Sequence, residues 1–352
     1  DLTLLFAQQV VPGFKNPVIV FRYAEGTKEK QPVLWETLVD KMRGSASMMV
    51  YNEKQIISAY LKAGVPLEDA EQFEHYGCNW PNLPGMDAGG CGYIEDWCEI
   101  TEEERSVIRG EGRTGAFWRG GLVSVFLDVF GKLAGSGSAS LSIDDFYRGI
   151  DEGFSEAFNS RLRQELTMRE ILYRNRPGLL FYQDLFFRDT IERGLDYFCG
   201  GCKYFTYINS YGGFASLVDC MTAVDVLCFR EKKVSIQKLY DACVTDFEND
   251  PIIFAMCRKT PKLGADDPIA NEHGKRMLNM LTDITWREVE KYRICDRPDN
   301  KIVIRQSIET DTGHIAMGKR LGATPDGRKA GMPLSQNTQP AVGSSVNGMT
   351  AM

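Results

Sequence analysis

The sequence predicts an α/β fold with a largely parallel sheet, on three observations. Its first part alternates β-rich runs with helical apolar spacing, and one later segment is apolar around most of a helical circumference. The 352 residues, 43% of them hydrophobic, suffice to bury one large core or two smaller ones. Parallel strands need helical crossovers, and such sheets carry their functional loops at the strand ends.

Taken in order, residues 9–17 form a turn-rich entry, and Val18 to Tyr23 is a β-rich run of strand length. Val33 to Met42 has helical spacing, Ser47 to Tyr51 reads as a second strand, and Asn52 is placed to cap a helix from Glu53 to Lys62 that stops at Gly64. From Thr101 the pattern turns helical. Thr101 with Glu104, and Ser142 with Asp145, have the spacing of reciprocal N-terminal caps. Between them, Gly131 to Ser140 has the composition of a flexible loop or linker. A long helix is expected from Ile143 to Leu172, with Phe146, Ile150, Phe154 and Phe158 on one face, and another from Tyr182 to Arg193. Lys203 to Ile208 reads as a strand, Phe214 to Phe229 as a helix buried on several sides, Ser235 to Phe247 and Ile269 to Tyr292 as further helices, and Lys301 to Arg305 as a last strand.

A net charge of -7 without a basic stripe argues against nucleic acid as a partner, because phosphate binding rests on clustered Lys and Arg. The first residues lack the basic and small-residue pattern of a signal peptide, and the apolar runs are too short for a bilayer span, so a cytoplasmic protein with no membrane partner is expected. The ten cysteines are scattered through a large chain, which fits reduced thiols. Cys199 and Cys202 have zinc or redox spacing, but His75, His273 and His314 stand singly and no second cysteine pair matches. Two free thiols and no bound metal are expected there.

The stretch His75-Tyr76-Gly77-Cys78-Asn79-Trp80-Pro81-Asn82-Leu83-Pro84-Gly85 sets one thiol among glycines, prolines and aromatics. Two prolines and two glycines predict a stiff loop rather than a helix or a central strand. By itself this points first to a buried structural cysteine in a tight turn, the commoner case for a cysteine with no named partner, and only second to a reactive one. His75 is the one histidine near enough in sequence to serve a nucleophilic thiol as base.

Gly322-Ala323-Thr324-Pro325-Asp326-Gly327-Arg328-Lys329-Ala330-Gly331-Met332-Pro333-Leu334, followed by Asn347-Gly348-Met349-Thr350-Ala351, resembles the characteristic segment of the glycyl radical enzymes, the family of pyruvate formate-lyase and the glycerol and choline eliminases. A generic Gly/Pro turn would account for Pro325-Asp326-Gly327 but not for the whole run. The strand after Gly201-Cys202, the buried helix with Asp219 and Ala223, and the Gly77-Cys78 loop follow in the family's order.

The resemblance implies a ten-stranded α/β barrel of two parallel five-stranded halves with surrounding helices, partial in this chain, with residues 1–352 all belonging to one barrel domain. It implies Cys78 as the catalytic residue, a thiyl carrier of hydrogen atoms between a glycyl radical and a small organic substrate in anaerobic metabolism. The radical would be installed by an activating enzyme that uses S-adenosylmethionine and an iron–sulfur cluster, and the expected assembly is a homodimer. The family's Arg-Val-x-Gly-Tyr segment does not occur in the sequence, so the expectation is a part of a larger protein whose radical domain is absent here, with a split enzyme or a non-catalytic partner subunit as the alternative.

Two departures bear on the reaction. Cys78 stands between Gly77 and Asn79, so the paired cysteines of pyruvate formate-lyase are missing. Trp80 occupies the place, two residues after the cysteine, where the eliminases carry a glutamate base, and an indole cannot take up a proton. A lyase acting on carbon–carbon bonds, a decarboxylase or a formate-lyase-like enzyme, is therefore expected, with a dehydratase or other eliminase as the alternative. Asn79, Trp80, Tyr93, Tyr204, Phe205 and Tyr207 are the candidate substrate-binding residues, on the reasoning that aromatic walls suit an apolar substrate better than a polyol.

Overall fold

The computed structural model describes residues 19–24, 26–44, 48–76, 80–88, 100–109, 115–137, 141–175, 182–197, 200–291, 300–308 and 313–344. The chain divides into two compact units, residues 1–88 with 178–205, and residues 89–177 with 206–352.

In the first unit β1 (Ile19–Tyr23) pairs in parallel with β2 (Met48–Asn52), joined by α1 (Thr27–Lys30) and α2 (Pro32–Gly44). The crossover is what the strand–helix alternation predicts. Asn52 caps α3 (Glu53–Lys62), its side chain accepting from the Gln55 amide at 3.2 Å. After α4 (Leu67–Ala70) come β3 (Glu74–Tyr76), β4 (Trp80–Asn82) and the two-residue β5 (Asp87–Ala88). The helix expected over Tyr182 to Arg193 is instead a 3₁₀ turn at Tyr182–Phe186 and the short α8 (Thr190–Arg193). Thr190 lies at the break, its hydroxyl 2.5 Å from the Asp184 carbonyl and 3.1 Å from that of Phe187, a side-chain bond that competes with continuous helix. Strand β6 (Tyr204–Ser210) pairs in parallel with β5 and runs on into the second unit, where β7 (Lys301–Ser307) is its neighbour.

The second unit is mainly helical. Helix α5 (Glu102–Arg109) begins with the expected reciprocal cap, Glu104 N–H donating to Thr101 Oγ1 at 3.2 Å and Thr101 N–H to Glu104 Oε2 at 2.9 Å. Ser142 and Asp145 do the same for α7 (Ile143–Asn175), at 3.0 and 3.1 Å. Phe146, Ile150, Phe154 and Phe158 are all buried on α7, as their spacing predicts. Phe146 meets Phe126 and Phe130 of α6 (Gly115–Gly135) at ring-centroid distances of 6.1 and 6.0 Å, and Phe130 sets its ring against Tyr240 at 5.4 Å. Helix α6 thus extends through much of the segment expected to be a linker. Gly131 lies where a Cβ would come within 2.9 Å of the Tyr240 hydroxyl, so it serves close packing rather than flexibility.

Helix α9 (Phe214–Val224) is buried at every residue and continues into a π-helical turn at Asp225–Arg230. It is followed by α10 (Ile236–Val244), α11 (Pro251–Lys259) and α12 (Pro268–Lys291). The sequence reading passed over α11, although Pro251 at its first turn is a helix-start signal. After α13 (Gly313–Lys319), residues 322–335 lie against α9. Ser216 and Ser335 exchange hydrogen bonds, each amide donating to the other's hydroxyl at 2.9 and 2.8 Å, and Cys220 Sγ sits 3.7 Å from Asp326 Oδ1. Asp326 also accepts from Thr324 Oγ1 at 2.5 Å, and Arg328 Nη1 donates to the Met332 carbonyl at 2.6 Å.

Two predictions follow from this packing. Gly121 breaks α6 at φ 58, ψ -147, and a Cβ there would lie 2.7 Å from the Gly212 carbonyl oxygen, which accepts the Leu122 amide at 3.1 Å. Gly121→Ala should lower stability by roughly 1–3 kcal/mol, read as a shift of the urea midpoint. Asp219 is fully buried on α9, with Oδ1 accepting from the Leu263 amide at 2.7 Å and Oδ2 unpartnered. Burial and the nearby Asp326 push its pKa up to about 8 from an ordinary 3.8. The folded state therefore holds a proton that the unfolded chain releases. The stabilisation this gives is complete below about pH 4 and is lost as pH rises through about 8. Asp219→Asn should flatten that part of the stability–pH profile, measured by denaturation at pH 5, 7 and 9.

Candidate functional site

Strands β3 and β4 pair antiparallel in the register Glu74↔Asn82, His75↔Pro81 and Tyr76↔Trp80, so the last pair borders residues 77–79. A ribbon therefore exists where only a loop was expected. Pro81 is tolerated because a two-stranded ribbon has two open edges, where a missing amide removes no ladder bond. Cys78 and Asn79 themselves lie outside the described residues, as do Tyr93 and Cys199. Trp80 opens β4, and Tyr207 lies within β6.

The feet of the ribbon are firmly built. Phe73 and Leu83 are fully buried and Met86 is 3% exposed. Arg22, on β1, donates from Nη1 to the Phe73 carbonyl at 2.9 Å and from Nη2 to that of Glu71 at 3.1 Å, with its guanidinium carbon 4.0 Å from the Phe73 ring centroid. Asp87 Oδ2 accepts from the Leu83 amide at 3.3 Å, closing the turn into β5. Gly85, at φ 70, brings its carbonyl to the Arg188 amide at 2.9 Å.

Register sets Tyr204 and Phe205 of β6 opposite Asp87 and Ala88 of β5. Tyr204 is fully buried and Phe205 is 5% exposed, so both faces of this strand are covered, as a parallel strand requires. The Tyr204 hydroxyl donates to Asp69 Oδ2 at 2.5 Å, and Lys203 Nζ reaches the same oxygen at 2.5 Å. Burial alone would raise the Asp69 pKa, but these two hydrogen bonds hold it below the usual carboxylate range. Burial, with the Asp69 hydrogen bond and charge added, raises the Tyr204 phenol above its ordinary value. The phenol is a neutral donor bound to a carboxylate, and this polar clamp was not foreseen from sequence because Asp69 and Tyr204 are far apart in the chain.

Cys202 is a buried thiol that forms no disulfide. Burial, followed by the acidic Asp87 and Asp189, raises its pKa, so it is protonated and a poor nucleophile. The described residues contain no group of three or more His, Cys, Asp and Glu arranged to hold a metal ion. His273 packs inside the helical unit, its Nδ1 2.5 Å from the Tyr147 hydroxyl and its Nε2 3.0 Å from Asp225 Oδ2. Among the described residues no helix is long and apolar enough to cross a membrane.

Residues 129–314 match the family model described as pyruvate formate lyase-like. Isethionate sulfite-lyase of Desulfovibrio desulfuricans is 26% identical over 328 residues, which span 91% of this chain and 36% of that protein. Trans-4-hydroxy-L-proline dehydratase of Clostridioides difficile is 32% identical over 169 residues, 47% of this chain and 20% of that one. Among solved structures, the glycerol-bound B12-independent glycerol dehydratase from Clostridium butyricum superposes with a TM-score of 0.72 at 21% identity, over 97% of this chain and 40% of that one. A glycyl radical enzyme from Archaeoglobus fulgidus gives 0.68 at 18% identity, over 96% and 40%. The chain thus spans at most about two-fifths of the length of these relatives. The family match across the helical unit, the shared fold and the 322–335 segment seated on α9 agree, and the chain belongs to the pyruvate formate lyase-like family of glycyl radical enzymes.

Proposed function

We propose that the complete protein is a glycyl radical lyase in which Cys78 carries hydrogen atoms to and from a small organic substrate. The observation that carries this reading is the family match together with a single cysteine between the paired strands β3 and β4. The proposal includes a ten-stranded barrel around that cysteine, one barrel domain spanning residues 1–352, a radical-activating partner and a homodimer.

The described residues fit radical chemistry at this place. A reactive radical must be shielded from solvent, and Phe73, Leu83 and Met86 make the feet of the ribbon apolar and closed. The glycyl radical would supply the unpaired electron by taking the hydrogen atom of the Cys78 thiol. Cys78 would then take a hydrogen atom from a substrate carbon and return one to the product, so the thiol is regenerated and no external reductant is consumed. A depressed thiol pKa is not needed for atom transfer, unlike nucleophilic attack. Asn79, Trp80, Tyr93, Phe205 and Tyr207 are proposed to line the substrate's side, with Tyr204 behind them, held by Asp69.

Two reaction subclasses have separate support. Trp80 leaves no proton acceptor two residues after the thiol, which favours carbon–carbon cleavage such as decarboxylation. The relatives are named as a sulfite-lyase and dehydratases, which favours loss of a leaving group from an adjacent carbon.

In the complete, anaerobically activated protein, Cys78→Ser should abolish turnover while the glycyl radical signal still forms, because an oxygen–hydrogen bond is too strong for that radical to break. Electron paramagnetic resonance and product analysis read both outcomes, and turnover by the serine variant would refute the assignment. Trp80→Glu supplies a proton acceptor beside the thiol. An eliminase should gain activity from this change and a carbon–carbon lyase should lose it.

A further inference from the structure

Resting on the assignment of the hydrogen carrier to Cys78, we infer that Arg22 and Arg188 are positioning residues for that thiol, acting through the two strands that flank residues 77–79. A ribbon of three residue pairs is marginal by itself, so the placement of whatever it carries is set at its feet. Hydrogen-atom transfer is sensitive to that placement, because reacting atoms must approach to about 3–3.5 Å and a displacement of about 1 Å can cost 100-fold in rate.

Arg22 holds the entry strand. Its guanidinium donates to the carbonyls of both Glu71 and Phe73, lies over the Phe73 ring and pairs with Glu53 at the start of α3. Phe73 immediately precedes β3, so the ribbon's first strand is tied to the C-terminal end of β1. A planar fork with five donors can engage two carbonyls and a carboxylate at once, which a lysine ammonium cannot do in the same geometry.

Arg188 ties entry to exit. Its amide donates to the Gly85 carbonyl at 2.9 Å, its Nη2 to Gln72 Oε1 at 2.6 Å, and its Nη1 lies 3.7 Å from Met86 Sδ. Gln72 precedes β3 and Gly85 follows β4, so one residue spans both feet. The approach needs glycine at position 85, where a Cβ would come within 3.3 Å of the Phe186 carbonyl oxygen and 3.5 Å of Arg188 Cγ, at a positive φ. Both arginines act at the feet of the ribbon, so their effect on the reaction passes through the backbone.

The test uses the complete, activated protein in deuterated water. The thiol hydrogen exchanges with solvent, so reversible atom transfer between Cys78 and the radical glycine replaces the glycine's α-hydrogen with deuterium and collapses its hyperfine doublet. The rate of collapse reads how closely the thiol approaches. Arg188→Ala and Arg22→Gln should form the radical in parental yield, slow the collapse and lower kcat by about 10- to 100-fold, with KM changed less than about threefold. Parental collapse and kcat in Arg188→Ala would overturn the inference. So would a fall in kcat with parental collapse, since the effect would then lie away from the thiol. Arg188 is exposed, so its variant decides the question even if Arg22→Gln fails to fold. Doublet collapse persisting in Cys78→Ser is a separate outcome, which overturns the assignment of Cys78 itself.

Discussion

A helix with no exposed face governs the larger unit. Every residue of α9 is buried, so every polar group it carries must find a partner inside the protein or remain costly. Thr222 returns its hydroxyl to the Val218 carbonyl, Asp219 takes the Leu263 amide, and Ser216 is met by Ser335. The segment 322–335 thus supplies partners for Ser216 and Cys220 of α9. Gly327 of that segment lies instead against α11, where a Cβ would meet the Arg258 side chain at 2.9 Å.

The smaller unit solves a different problem. Two parallel pairs, β1 with β2 and β5 with β6, present strand ends, and the antiparallel ribbon lies between them in sequence. The buried groups nearby are neutral or paired: Tyr204 and Lys203 converge on Asp69, and Cys202 remains a thiol. Among the described residues these groups are neutral donors or a paired carboxylate with its lysine, which limits competing proton transfers near the feet of the ribbon.

Much of this was legible in the sequence, and the reasons are local. Asn52, Thr101 and Ser142 announced their helices because a cap is set within four residues. The face of α7 was readable because its phenylalanines recur at helical spacing. The family was readable from a run that includes Gly327 and Gly331, both at positive φ, with Gly327 pressed against Arg258. What escaped were features decided by partners distant in the chain. Gly131 has a linker's composition and a helix's geometry because Tyr240 presses on it, and Asp69 shows no sign in sequence of meeting Tyr204. The pairing of β3 with β4 was obscured by Pro81, which argues against a central strand but not against an open-edged ribbon.

The ribbon's construction has a bearing on how such a chain diverges. Its anchorage lies at positions 71–73 and 83–88, in buried side chains and backbone carbonyls. Exposed or half-buried positions such as Glu74, Pro81 and Asn82 can then be exchanged at smaller thermodynamic risk than Phe73 or Leu83, because substitutions cost most where the side chain is buried. Selection can vary the strands while the foundation beneath them stays fixed.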